Sequence, residues 1–157
     1  MADDYDLIQE YAPFQKKYDL PSYTDLDNNF EFRWKEYTNF PLRFMRRRIG
    51  EKLHLLNWVL DRILYPNTQS VVNLHESHNF DEEEKKHILE LFKEVMYLQR
   101  ESLVLDLDTS HEKEAAYIKK LFAIYPRLRD ETKKVAESLQ EYWKKEVTDE
   151  ESEVYFG

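Results

Sequence analysis

Cysteine is absent from this 157-residue sequence, and glycine occurs only twice, at Gly50 and Gly157. The lack of cysteine excludes disulfide bonds, thiolate zinc sites and cysteine nucleophiles. The scarcity of glycine excludes glycine-rich loops that bind phosphate groups, and it disfavours tight β-hairpin turns. These absences favour helices joined by short turns. The sequence also lacks a motif for binding a cofactor, so we expect none.

Long apolar segments are missing as well, since no run reaches the 18 or so residues that span a membrane. The opening segment, MADDYDLIQEY, lacks the basic and then apolar pattern of a signal peptide. Lys and Arg number 23 against 32 Asp and Glu, which gives a net charge of −9. An acidic chain repels nucleic acid and anionic lipid. We therefore expect a cytoplasmic protein with no membrane partner, and nucleic acid is a disfavoured partner.

The strongest pattern is an apolar stripe between Pro41 and Leu64 at steps of three and four residues. Such steps place all members of the stripe within a narrow sector of one helix: Leu42, Met45, Ile49, Leu53, Leu56, Leu60 and Ile63. Proline is favoured in the first turn of a helix, so we predict a helix over 41–64 around which the other helices pack. Three further apolar residues widen its surface and predict that its second half is largely buried: Leu55, Trp58 and Val59.

Proline and capping patterns divide the rest of the chain. We predict short helices near the N-terminus with a break at Pro13, a long helix after Asp81, and two further helices separated by Pro126. Residues 30–34, FEFRW, alternate aromatic and charged side chains, which is typical of an extended segment. Since 11 of the 23 aromatic residues lie in residues 1–44, we interpret this part as an arm that packs on the helices.

The predicted fold is all-α: an irregular antiparallel helical bundle of four main helices plus two short ones, with an aromatic-rich N-terminal arm. We assign residues 1–147 to a single helical domain, in which 1–40 form the N-terminal helix and extended arm and 41–147 form the bundle. Residues 148–157 are acidic and lack helical periodicity, which predicts a mobile tail.

A second stripe lies on the predicted 41–64 helix, opposite the apolar one. It combines ionisable side chains with one tryptophan at steps of three and four: Arg47, Glu51, His54, Trp58 and Asp61. Successive arginines on a helix point about 100° apart, so Arg43, Arg46 and Arg47 can share one positive surface. Two interpretations stay open: the N-terminal arm covers this face, or the face forms a cleft that binds a partner.

Two Glu-x-x-His motifs, Glu51 to His54 and Glu84 to His87, occur on the two long predicted helices. This spacing presents two metal ligands from one side of a helix. The pattern resembles half of a ferritin-like di-iron site, and that resemblance implies a helical-bundle enzyme with two metal ions. The two further inward-facing glutamates that such a site uses are not evident in the sequence.

Arg47 or Arg48, followed by His54, resembles the Arg-x4–6-His pattern of the HEPN ribonucleases. In those dimeric helical bundles the arginine and histidine of both subunits cleave RNA without a metal. The resemblance implies that Arg47 and His54 are catalytic candidates. This sequence departs from the family because Arg48, and not a small polar residue, follows the arginine, and because the motif lies early in the chain.

No serine–histidine–acid order or nucleotide-binding motif is evident, so the sequence does not decide whether the protein is an enzyme. It favours a protein interaction or adaptor module that binds another protein or a second copy of itself. The alternative is a metal-independent ribonuclease, followed by a di-metal enzyme. The favoured hypothesis assigns these binding residues to one groove: Arg43, Arg46, Arg47, Glu51, His54, Trp58 and Asp61.

Overall fold

The computed structural model describes residues 7–32 and 40–144. These residues contain six α-helices and no strand: α1 Leu7–Tyr18, α2 Tyr23–Phe30, α3 Pro41–Leu64, α4 Val71–His78, α5 Glu82–Leu107 and α6 His111–Tyr142. The predicted all-α class is confirmed. None of the described helices is both long and apolar enough to cross a lipid bilayer. The predicted tail, 148–157, lies outside the described residues.

Helix α3 lies at the centre of the bundle and packs against each of the other five described helices. It begins at Pro41 and ends at Leu64, so its predicted bounds are confirmed. At 1.5 Å per residue its length is about 36 Å. All seven members of its apolar stripe are buried, as their spacing predicts: Leu42, Met45, Ile49, Leu53, Leu56, Leu60 and Ile63.

Helices α5 and α6 cover the inner side of α3. Arg46, in the second turn of α3, pairs with Asp106 in the last turn of α5, whereas Tyr65, just after α3, stacks edge-on against Phe92 of α5. Helices α3 and α5 are therefore antiparallel. Three residues connect α5 to α6, and Arg46 also reaches Glu114 in the first turns of α6, so α6 runs parallel to α3.

Two prolines that the sequence analysis interprets as helix breaks lie inside helices. Pro13 belongs to α1, and Pro126 belongs to α6, which runs without interruption from His111 to Tyr142. A proline inside a helix removes one backbone hydrogen bond and crowds the carbonyl four residues earlier. Tyr125 and Leu128, on either side of Pro126, are buried and anchor the helix to the core. The two helices predicted around position 126 are therefore one.

The extended segment predicted at 30–34 is wrong for its first residue. Phe30 is the last residue of α2, and Glu31 caps that helix in the left-handed conformation. The chain turns there, and the Phe32 N–H donates a hydrogen bond of 2.7 Å to the Asp27 carboxylate. Phe30 and Phe32 are both fully buried. The alternating pattern thus arises from a helix end and a turn. Residues 33–39 of the predicted arm lie outside the described part of the chain.

The second half of α3 is buried on its inner side only. Leu55 and Trp58 are 54% and 50% exposed, so the prediction that this half is largely buried is wrong. Trp58 lies opposite the apolar stripe on the helix circumference, and Leu55 lies about 115° from its centre. Because α5 and α6 cover the inner side alone, half of α3 presents large apolar side chains to solvent.

Candidate functional site

An open groove of about 430 Å³ runs between the outer sides of α3 and α5. It collects residues from two turns of each antiparallel helix, so residues far apart in the sequence face each other across it. Its lining is mixed, with charged, polar and apolar members: Arg47, Gly50, Glu51, His54, Gln99, Arg100, Ser102, Leu103 and Asp106. The structure thus brings three residues of the predicted stripe together with residues of α5.

The other two residues of the predicted stripe continue the line of the groove along α3. Trp58 and Asp61 follow His54 at steps of four and three residues, which places them on the same side of the helix. Trp58 is half-exposed, and the Arg62 guanidinium lies 3.8 Å from the centre of its ring. This cation–π contact fixes the indole on the helix surface. Asp61 is exposed.

Arg46 does not belong to the surface that the sequence predicts for it, because its side chain is fully buried. Its Nε donates to the Glu114 carboxylate at 2.5 Å. One Nη donates to the Ser102 carbonyl and hydroxyl oxygens at 3.0 and 2.7 Å, and the other donates to Asp106 at 2.7 Å. The Thr109 hydroxyl donates to the second oxygen of Glu114 at 2.8 Å. Arg46 therefore joins α3, α5 and α6 beneath the groove.

The charges of this network stabilise each other. Burial alone would lower the pKa of Arg46, but its hydrogen bonds to Glu114 and Asp106 raise the pKa above the ordinary value. Partial burial would raise the pKa of Asp106, but the hydrogen bond and charge of Arg46 lower it overall. A buried cation with two carboxylate partners stays ionised because each partner compensates its lost hydration. The network is therefore a buried ion-paired strut that joins the three helices.

Asp106 connects the buried network to the groove. The same oxygen that accepts from Arg46 also accepts from Nε of Arg47, at 3.4 Å. The Arg47 side chain is 59% exposed, so this second bond is long and open to water. An exposed pair of this kind contributes little to stability. Arg47 can therefore exchange Asp106 for a carboxylate that enters from outside.

The remaining charges of the groove divide into paired and available groups. Glu51 accepts a bond of 2.5 Å from Arg48, one turn away on α3. Arg100 is exposed and forms no ion pair within the described part of the chain. His54 is also exposed. The groove thus offers Arg47, Arg100 and His54 beside the half-exposed Leu103, which suits a ligand with both a negative and an apolar group.

Arg43 lines a different hollow from Arg47. Its guanidinium lies 5.3 Å from the ring centre of Phe40, and the hollow continues to the start of α6 at Ser110 and His111. This position separates Arg43 from the α3–α5 groove. Of the three arginines predicted to share one surface, only Arg47 lines the groove.

The structure does not bring the two Glu-x-x-His motifs together. Glu84 lies in the first turn of α5, where its side chain accepts from the Asp81 N–H and completes a capping box. The α5 residue beside His54 in the groove is Gln99, which lies about 22 Å farther along the helix at 1.5 Å per residue. His87 is exposed. The described residues contain no group of three His, Asp or Glu side chains arranged to hold a metal ion.

A second large groove, of about 460 Å³, lies between α5 and α6 and includes His87. Its arginine, Arg127, is already bonded to Glu94 and Glu131. Internal pairing leaves that groove with fewer groups that can bind a ligand. We take the smaller α3–α5 groove as the candidate site because it contains two exposed arginines, Arg47 and Arg100, beside the half-exposed Leu103.

Several groove residues were missed by the sequence analysis. Gln99, Arg100 and Asp106 come from α5, and only the antiparallel packing on α3 places them opposite Arg47 and His54. Leu103, although apolar, is 50% exposed and lines the groove. Gly50 carried a signal, since it is the only glycine within the described helices. The position of this glycine in the groove is evident only from the structure.

Comparison with known proteins gives no relationship: no family model, no curated protein and no solved structure matches this chain.

Proposed function

We propose that this protein is an interaction module that binds another polypeptide in the α3–α5 groove. The observation that carries the proposal is that exposed arginines lie beside half-exposed apolar side chains on this surface. Helix α3 contributes Arg47 and Trp58, and helix α5 contributes Arg100 and Leu103. Arginine and tryptophan are the residues that most often dominate binding energy in protein interfaces. Large apolar side chains left exposed beside them favour a surface that a partner covers.

The chemistry of the groove selects the kind of segment it binds. A carboxylate placed between Arg47 and Arg100 would accept charge-assisted hydrogen bonds from both. Separate apolar side chains of the same segment would cover Leu103 and, about 12 Å farther along α3 at 1.5 Å per residue, the exposed face of Trp58. The partner segment is therefore a helix or extended stretch that alternates acidic and apolar residues. Binding such a segment displaces only the long Arg47 to Asp106 bond and leaves the buried strut intact.

The test is capture of a partner by the full-length tagged protein at moderate salt, with quantification of the bound proteins. The double variant Arg47→Ala/Trp58→Ala removes one cation and the largest apolar side chain from this surface. We expect at least a tenfold loss of the partner. The matched control is Arg129→Ala/Trp143→Ala, which removes an exposed arginine from α6 and the exposed tryptophan that follows its last residue. Unchanged capture by the folded Arg47/Trp58 variant would contradict the proposal.

One observation favours a second candidate, a metal-independent ribonuclease. Arg47 and His54 line the same groove, and Arg100 adds a second cation there. A histidine can take a proton from a ribose hydroxyl while arginines bind the adjacent phosphate. The test is cleavage of a labelled RNA in the presence of a chelator. Loss of cleavage in His54→Ala, with retention in the control His87→Ala, would support this candidate, and a parent protein that leaves RNA intact would exclude it.

A further inference from the structure

Gly50 lies in the middle of the central helix, where the fold gives no reason for a glycine. It does not adopt a positive φ, so its backbone conformation is one that any residue adopts. A Cβ atom built at this position would meet only the Ser102 hydroxyl, at an ordinary contact distance of 4.0 Å. Packing within the described chain therefore leaves room for a methyl group. Glycine weakens a helix interior, and close approach of another chain would account for one at this position.

The missing side chain leaves a hollow in the floor of the α3–α5 groove. Gly50 lines that groove beside Ser102 and Leu103, so the hollow opens to the outside and one of its walls is apolar. Glycine is used where another chain must approach a helix closely. The hollow is suited to a large flat side chain that arrives from a partner.

The outer side of α3 is complementary to itself. If two α3 helices lie antiparallel with His54 at the centre, the residue at position n faces the residue at 108 − n. Gly50 of one copy then lies level with Trp58 of the other, and Arg47 lies level with Asp61. These positions fall within about 80° of the helix circumference, with Gly50 and Trp58 about 40° to either side of His54. Each pair is therefore diagonal, and the long side chains of Trp58 and Arg47 reach across the contact to their partners. A two-fold contact repeats each pairing twice, so one glycine hollow and one exposed tryptophan per chain are sufficient.

We propose that the α3–α5 groove holds α3 of a second copy of this chain, in an antiparallel two-fold contact in which Trp58 of each copy sits over Gly50 of the other. The inference rests on the proposed function, because it names the occupant of the same groove. Three features select this partner: an exposed indole held on the surface by Arg62, a hollow of matching position, and opposite charges at Arg47 and Asp61.

The first measurement is the mass of the full chain in solution from low to high micromolar concentration. We expect a concentration-dependent rise from 19.2 kDa towards twice that mass. Gly50→Leu fills the hollow with a better helix former, and we expect self-association at least tenfold weaker while the helical circular dichroism is retained. Ala123→Leu, which adds a leucine to an exposed site on α6, is the matched control and should associate as the parent does.

The charge pairing has its own test. Arg47→Asp and Asp61→Arg each place like charges opposite each other in the proposed contact, and both single variants should associate more weakly. The double variant Arg47→Asp/Asp61→Arg restores opposite charges and should recover association. A double variant that stays as weak as the singles would overturn this register.

The centre of the contact can be tested with introduced thiols, because the chain has no cysteine. His54→Cys places two thiols at the two-fold axis, where an added oxidant should join the copies by a disulfide. His87→Cys puts an equally exposed thiol on α5 and should cross-link much more slowly. Equal rates for the two variants would overturn the arrangement.

The outcomes separate this inference from the proposed function. A chain that stays monomeric at every concentration, yet loses capture of a different protein in Arg47→Ala/Trp58→Ala, would overturn the dimer and leave the interaction module standing. A dimer that is insensitive to Gly50→Leu, Trp58→Ala and the charge exchanges would overturn the proposed contact. A monomer that captures nothing would overturn both.

Discussion

The inner and outer sides of α3 contain the same kinds of residue in opposite environments. Arg46 is fully buried among carboxylates of α5 and α6, whereas the next residue, Arg47, is 59% exposed. Leu53 is fully buried, and Leu55, two positions later, is 54% exposed. The inner side packs in the core, and the outer side presents the same residue types to solvent. Residue type alone therefore does not separate the core from the exposed surface in this helix.

The largest expected difference between the two sides concerns the neighbouring arginines. Arg46→Ala leaves the Glu114 carboxylate buried without its cation, which costs about 3–5 kcal/mol of unfolding free energy. Arg47→Ala removes only an exposed pair worth about 0–1 kcal/mol. Urea unfolding of both variants measures the difference. Equal losses in the two variants would show that the buried strut does not hold the three helices together.

The leucines give the apolar version of the same comparison. Leu53→Ala removes a side chain from the packed core and should lower the unfolding free energy by about 2–5 kcal/mol. Leu55→Ala changes a half-exposed position, where surface substitutions usually stay within about 0.5 kcal/mol. Thermal or urea unfolding compares them at a protein concentration below that of any self-association. A large loss in Leu55→Ala would mean that another part of the chain covers it.

Asp106 lies between the two sides and should make stability depend on pH. Its pKa is lower in the folded state than in the unfolded chain, so its contribution is complete above the unfolded value of about 4 and is lost as the pH falls through the folded value. The unfolding free energies of the parent and of Asp106→Asn should therefore converge as the pH is lowered below 4. A difference that stays constant over this range would contradict the assignment.

The smallest expected effect is a gain in stability. Gly50→Ala adds a methyl group that meets nothing closer than 4.0 Å, and alanine is the better helix former by about 1 kcal/mol. We expect the unfolding free energy of the dilute monomer to rise by about 0.5–1 kcal/mol. Urea unfolding measures it. A loss of stability would indicate that the monomer itself requires the glycine.

The sequence predicted the central helix well because every signal for it is local. The stripe from Leu42 to Ile63 has a single period, Pro41 starts the helix and Pro66 follows its end. The capping box that starts α5 at Asp81 was also predicted, since its partners lie only three residues apart. Features of this kind need no knowledge of the rest of the chain.

The errors arise where the deciding contacts are remote. Arg46 was placed on the surface because its partners, Asp106 and Glu114, lie 60 and 68 positions away in the chain. Pro126 was interpreted as a helix end because the buried contacts that anchor α6 on both sides of it come from other helices. Half of the groove was missed for the same reason, since α5 supplies it. Local patterns on α3 identified only the half that α3 itself contributes.

The long sequence separation between Arg46 and its partner Glu114 also has a consequence for synthesis in the cell. The chain emerges from the ribosome in order, at about 5–20 residues per second, and Glu114 follows Arg46 by 68 residues. Arg46 is therefore translated roughly 3–14 s before the residue that completes the strut. During that interval the apolar stripe of α3 has no α6 to cover it. Until then α3 exposes apolar surface that the finished fold buries.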